Sequence, residues 1–138
     1  MALLAVSLRR QVGIDVEEPG RHIETDAIVK QFFAPTEQLA YSALPVSERE
    51  LAFLRCWTRK EAYIKARGEG MGIALDSFAV SLGPQAFLTP VAPDEAWQIT
   101  DLNLADAYVG ALVYEGGPQT VHVCEAVTAQ SLYSSQVV

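Results

Sequence analysis

Three acidic residues and two lysines have the types and spacing to act on a phosphorylated ligand. Asp15 and Glu17 are one residue apart in the segment VGIDVE, and Glu61 lies in WTRKEAYIKARGEGM with Lys60 and Lys65. Carboxylates that converge without His or Cys form an all-oxygen site, which suits Mg²⁺ better than zinc. Mg²⁺ usually shares its coordination shell with substrate phosphates, for which the two lysines are candidate partners. We therefore predict a magnesium site at Asp15, Glu17 and Glu61.

Each of these groups also has an ordinary structural interpretation. An isolated pair such as Asp15 and Glu17 is more often the solvated face of a half-exposed strand. Glu61 and Lys65 are four residues apart, which is the spacing of a helix ion pair worth about 0.2–0.5 kcal/mol. Only a fold that brings the two segments together favours the metal site.

Residues 12–17 are predicted to form the strand that positions the first two carboxylates. Its three β-branched residues alternate with Gly13, Asp15 and Glu17, so one face is apolar and the other acidic. The apolar residues 2–8 are predicted to be a buried strand that pairs with it as an antiparallel hairpin. The acidic face then has to meet its partners from elsewhere in the chain.

Three helices are predicted after this hairpin. The first covers residues 24–33, and the second covers 35–44 with Thr36 as its N-cap. The third begins with a capping box at residues 47–50 and ends at Gly68. On a wheel of about 100° per residue, Glu61 falls within the apolar arc of this third helix, whose members are Phe53, Leu54, Trp57 and Ile64. A carboxylate there loses hydration unless a cation compensates it, so we expect Glu61 to face the acidic strand.

The remaining pattern is typical of short strands, and the predicted fold class is α+β. The strands are predicted at residues 77–82, 86–90, 96–104, 107–114 and 120–127. An antiparallel sheet with a helical layer inserted after the first hairpin accounts for this order. We expect one domain over residues 1–127 and a flexible tail over 128–138.

Composition excludes several classes of partner. The chain has 138 residues, half of them hydrophobic, and a formal charge of −7 without a long basic cluster. Nucleic acid and anionic membranes are therefore not expected as partners. No apolar stretch is long enough to span a bilayer. Cys56 and Cys124 have no metal-binding spacing, which indicates free thiols in the cytoplasm.

The two acidic segments together resemble the paired signature of 4′-phosphopantetheinyl transferases, in particular the two-lobed Sfp type. The text between and after them, VKQFFAPTEQLAYSAL and LDSFAV, is similar too, and the resemblance covers about residues 3–115. It implies Mg²⁺-dependent transfer of phosphopantetheine from coenzyme A to a serine of an acyl or peptidyl carrier protein. Asp15, Glu17 and Glu61 would then bind Mg²⁺, and Glu61 would also be the base. Lys65 and Lys60 would hold phosphates of coenzyme A.

The chain departs from the two-lobed pattern at its start. Those proteins carry an N-terminal lobe before the strand equivalent to residues 2–8, whereas this chain begins at Met1 inside that strand. We expect a homo-oligomer in which a second copy replaces the missing lobe, although another chain could supply that lobe instead. The chain could also be a truncated or degenerate lobe without transfer activity, or a Mg²⁺-dependent nucleotide-binding module.

Overall fold

The computed structural model describes residues 1–20, 24–105 and 108–124. Within these ranges the chain forms three α-helices and five β-strands, which confirms the α+β class. In chain order they are β1 (Val12–Glu17), α1 (Thr25–Phe32), α2 (Pro35–Ser42), α3 (Val46–Arg67), β2 (Ala79–Val80), β3 (Leu88–Thr89), β4 (Trp97–Leu102) and β5 (Val109–Glu115). No helix in the described part of the chain is long and apolar enough to cross a membrane.

The main sheet is antiparallel and has the order β1-β5-β4, with Asp15 opposite Ala111. The neighbour of β1 is therefore β5, and the predicted hairpin with residues 2–8 is wrong. Leu4, Val6 and Leu8 are 88%, 83% and 89% exposed. β5 takes the central position because its middle is apolar on both faces, which suits a strand covered on both sides.

α3 is the element on which the sheet packs. It lies against both β1 and β5, and Phe53, Tyr63 and Val113 are buried where it meets the rest of the core. The helix ends at Gly68 in the left-handed conformation, as predicted, with φ of 66°. A residue without a Cβ takes this conformation at little cost, so the chain can turn back toward the small β2–β3 sheet.

The starts of α2 and α3 differ from the predicted caps. α2 is preceded by Ala34, not Thr36, and the Glu37 carboxylate accepts a hydrogen bond from the Ala34 amide at 2.7 Å. The predicted capping box of α3 is also wrong, since the helix begins at Val46 after Pro45 and no side chain of the described residues caps it. Its acidic member, Glu50, instead accepts a hydrogen bond from the Gly20 amide at 2.7 Å and ties the loop after β1 to α3.

The strands after α3 are shorter than the sequence suggested. β2 and β3 contain two residues each, and among the described strands they pair only with one another. Residues 120–124 form no strand. The end of that predicted strand and the predicted tail, residues 125–138, lie outside the described residues.

Candidate active site between the first strand and the long helix

β1 and α3 approach one another unusually closely at Gly13. A Cβ atom built on this glycine would overlap the carbonyl oxygen of Ala62 and the backbone nitrogen of Ala66. It would also lie 2.9 Å from the Cα atom of Ala66, closer than real Cβ contacts come. Because side chains alternate along a strand, Asp15 and Glu17 belong to the same helix-facing side as Gly13. The acidic face of β1 is therefore the face that meets α3.

Asp15 is held at this contact by a lysine from the helix. Its Oδ1 atom accepts a hydrogen bond from Lys65 Nζ at 2.6 Å, and its side chain is only 11% exposed. Its second oxygen, Oδ2, is buried and accepts no hydrogen bond from the residues that the structure describes. Burial raises the pKa of Asp15, and Lys65 opposes that rise. Lys65 therefore compensates one oxygen of the carboxylate, and Oδ2 has no donor among the described residues.

Glu61 lies one helical turn before Lys65 and is half-buried. Burial raises its pKa, and the negative charges of Asp15 and Glu17 raise it further, whereas Lys65 lowers it. The structure therefore brings these four side chains within electrostatic reach of one another, although they come from two distant segments. Among the described residues, no group of three or more Asp, Glu, His or Cys side chains is arranged to bind a metal ion without other ligands.

Lys60 is not part of this cluster. It is fully buried on the other side of α3, where Nζ donates hydrogen bonds to Glu37 Oε1 and to the Phe78 carbonyl, both at 2.8 Å. Glu37 Oε1 also accepts a hydrogen bond from the Val80 amide at 2.7 Å. A lysine in this position has no access to a phosphate, so its expected contact with coenzyme A does not fit the structure. Lys60 instead joins α3 to α2 and β2.

Two residues that the sequence reasoning missed help to hold α3 in place. Arg59 is fully buried and forms a two-pronged pair with Asp101 of β4, with N–O distances of 2.9 and 2.6 Å. It also donates a hydrogen bond to the Ser81 carbonyl oxygen at 2.5 Å. The signal in the sequence was an acidic residue, Asp101, which shares one face of its strand with Trp97 and Ile99 by alternation. The second missed residue is Gly13, whose position inside a regular strand indicates a close backbone approach.

The donor set at β1 and α3 fits a magnesium ion better than a transition metal. All candidate ligands are carboxylate oxygens, and Asp15 Oδ2 is a buried acceptor still without a donor among the described residues. Mg²⁺ is usually bound by one or two carboxylates together with waters and substrate phosphates, so it does not require a closed protein cage. A cation here would relieve the mutual repulsion of Asp15, Glu17 and Glu61.

Comparison with known proteins agrees with this arrangement. Residues 11–113 match the model of the 4′-phosphopantetheinyl transferase superfamily. The chain is 35% identical over 117 residues to the 4′-phosphopantetheinyl transferase HetI of Nostoc sp., covering 84% of this chain and 48% of that protein. It is 36% identical over 87 residues to a 4′-phosphopantetheinyl transferase of Bacillus subtilis, covering 62% of this chain and 37% of that protein. The chain thus spans about half the length of the curated relatives it matches.

A solved structure shows the same fold. It is a holo-(acyl-carrier-protein) synthase from Bacillus anthracis in complex with CoA (3′,5′-ADP), and it superposes with a TM-score of 0.57 at 19% identity. The match covers 76% of this chain and 94% of the synthase chain. The family match, which includes both β1 and α3, extends over most of the sequence. The chain belongs to the 4′-phosphopantetheinyl transferase superfamily.

Proposed function

We propose that this chain takes part in the Mg²⁺-dependent transfer of the 4′-phosphopantetheine group from coenzyme A to a serine of an acyl or peptidyl carrier protein. The observation that carries the proposal is the buried Asp15 carboxylate, which shares one cluster with Glu17, Glu61 and Lys65. A phosphoryl transfer needs neutralisation and alignment of phosphate charge more than it needs a covalent catalyst. The cluster offers both signs of charge at one solvent-accessible edge.

In this proposal Asp15, Glu17 and Glu61 hold the metal ion, and Lys65 binds a phosphate of coenzyme A. When bound, Mg²⁺ supplies charge neutralisation to the pyrophosphate. Lys65 is suited to its role because its side chain is 49% exposed, so the ammonium can reach a ligand from the helix surface. The serine oxygen forms the new bond to phosphorus, the bond to the bridging oxygen breaks, and 3′,5′-ADP leaves.

Glu61 is the proposed acceptor of the serine proton. Its carboxylate is half-buried in the same cluster as Asp15 and Lys65, where the phosphate of coenzyme A is proposed to bind. With Mg²⁺ bound at the cluster, the Glu61 carboxylate would be held close to the phosphate that the serine attacks. The proton moves to a Glu61 carboxylate oxygen as the serine attacks.

We also propose that the working form is a homo-oligomer. Leu4, Val6 and Leu8 expose more than four-fifths of their surface, and β1 is at the edge of its sheet. Such an edge and such side chains are suited to contact with a second copy. Light scattering at micromolar concentration should give a mass above that of one chain. A monomeric mass would contradict this proposal.

A carrier protein is the proposed macromolecular partner. Leu39 of α2 is 73% exposed and is available for contact with this partner. The alternative function is a lobe that keeps the fold and binds metal or carrier protein without transfer. The observation that favours this alternative is that no three acidic, His or Cys side chains of the described residues are arranged to hold a metal ion by themselves.

The test is to incubate the chain with a fluorescent coenzyme A analogue, Mg²⁺ and an apo carrier protein, with EDTA as the metal-free control. Labelling of the carrier that EDTA abolishes supports the proposal. Capture of the carrier by the folded chain without labelling supports the non-catalytic alternative. A carrier variant whose acceptor serine is alanine controls for labelling at other residues.

A further inference from the structure

The close contact at Gly13 has a consequence for the carboxylate cluster two residues away. The atoms that a Cβ would meet are the Ala62 carbonyl oxygen and the backbone of Ala66, and neither can move without moving α3. A flexible side chain could turn aside, but a helix backbone cannot. The size of residue 13 therefore sets how near β1 can come to α3.

The same two elements carry the cluster. Asp15 is two residues after Gly13 and therefore on the same face of β1. On α3, Glu61 and Lys65 directly precede Ala62 and Ala66. The 2.6 Å contact between Asp15 and Lys65 thus spans the gap whose width Gly13 determines. Both alanines are buried, at 0% and 4% exposure, so the helix offers its smallest side chains at this point.

We infer that Gly13 is a positioning residue, which keeps the carboxylates of β1 within reach of Glu61 and Lys65 on α3. This inference rests on the proposed function for its link to metal binding, but its structural part does not depend on a metal. Gly13 has no side chain with which to bind metal or substrate, and it acts through the strand–helix spacing. Any side chain at position 13 should separate Asp15 from its partners on α3.

The experiment compares Gly13→Ala with Gly83→Ala, a matched control at a glycine where an added Cβ meets nothing within 4 Å. The first readout is the nuclear Overhauser effect between Asp15 and Lys65 side-chain protons in the metal-free chain. The second is the Mg²⁺ dissociation constant by calorimetry. We expect Gly13→Ala to lose the cross-peak and to weaken Mg²⁺ binding about 10- to 100-fold, with both readouts unchanged in the control.

An unchanged cross-peak in folded Gly13→Ala would overturn the inference, whatever its affinity for metal. If the wild type shows the cross-peak but binds no Mg²⁺, the proposed metal site fails, while loss of the cross-peak in Gly13→Ala still supports the positioning role. Should Gly13→Ala not fold, the second measurement is made on the wild-type chain, as the nuclear Overhauser effect between the Gly13 Hα protons and the Ala66 amide proton. A strong cross-peak supports the close approach on which the inference depends, and its absence contradicts it.

Discussion

Replacement of Lys60 by methionine tests where the two lysines of α3 act. The structure gives Lys60 two hydrogen bonds of 2.8 Å, to Glu37 and to the Phe78 carbonyl, and no solvent exposure. Its Nζ atom also lies 4.3 Å from the centroid of the Phe78 ring. Lys60→Met keeps an unbranched side chain only one atom shorter, but it leaves the Glu37 carboxylate buried without its cation. Loss of one partner of a buried ion pair costs about 3–5 kcal/mol.

Lys65→Met is the matched control, one helical turn or so away on the same helix. Its ammonium pairs with Asp15 but is half-exposed, so its loss should cost less than the loss of the fully buried Lys60. Urea unfolding followed by circular dichroism separates the two variants. With a slope of about 1–3 kcal/mol per molar urea, Lys60→Met should lower the midpoint by about 1 M or more. Lys65→Met should shift it much less.

The two variants should show the opposite order in ligand binding. Lys65→Met should weaken binding of coenzyme A, because it removes the proposed phosphate contact, whereas folded Lys60→Met should bind nearly as the wild type does. A stability loss below about 1 kcal/mol in Lys60→Met, together with weaker coenzyme A binding, would refute the assignment. Lys60 would then be the exposed phosphate ligand that the sequence suggested.

Two further predictions concern titratable groups. Glu61→Gln should abolish Mg²⁺ binding and should stabilise the metal-free chain at pH 7–8 by about 0.2–1 kcal/mol, since it removes repulsion from Asp15 and Glu17. The pKa of Glu61 is higher in the folded chain than in the unfolded chain, so the wild type gains stability as pH falls through the folded pKa toward the unfolded one. The advantage of Glu61→Gln should therefore shrink toward pH 5. Unfolding experiments in EDTA at several pH values measure this change. Burial raises the pKa of Cys56 strongly, whereas Cys124 is exposed. A thiol reagent at pH 8 should therefore modify one cysteine rapidly and the second only after unfolding, and two rapid reactions would contradict the buried position of Cys56.

Local patterns predicted which residues lie on which element, and they were most reliable where periodicity was strong. The alternation in residues 12–17 predicted the bounds of β1. The helical repeat of apolar residues, followed by Gly68, predicted the C-terminus of α3. These features depend on neighbours within a few residues, so a single sequence contains them. The acidic face of β1 follows from the alternation of side chains along a strand. The position of Glu61 on the apolar side of α3 follows from the helical repeat.

Contacts between distant segments could not be predicted in this way. Residues 2–8 are as apolar as a buried strand, but the place beside β1 is taken by β5, nearly 100 residues later. Lys60 and Lys65 are both near the edge of the apolar arc, and only the position of Glu37 decides which one is buried. The acidic side of β1 can face α3 because Gly13 has no side chain. Hydrophobic periodicity alone does not predict this contact.

The measurement that tests the central claim most directly is the intact mass of an apo carrier protein after incubation with coenzyme A, Mg²⁺ and this chain. Parallel reactions contain Glu61→Gln in place of the wild type, or EDTA in place of Mg²⁺. We predict that the wild type adds one phosphopantetheine group to the carrier and that neither control does. An unchanged carrier mass with a folded, Mg²⁺-binding wild-type chain, or equal modification by Glu61→Gln, would contradict the proposal that this cluster carries the transfer.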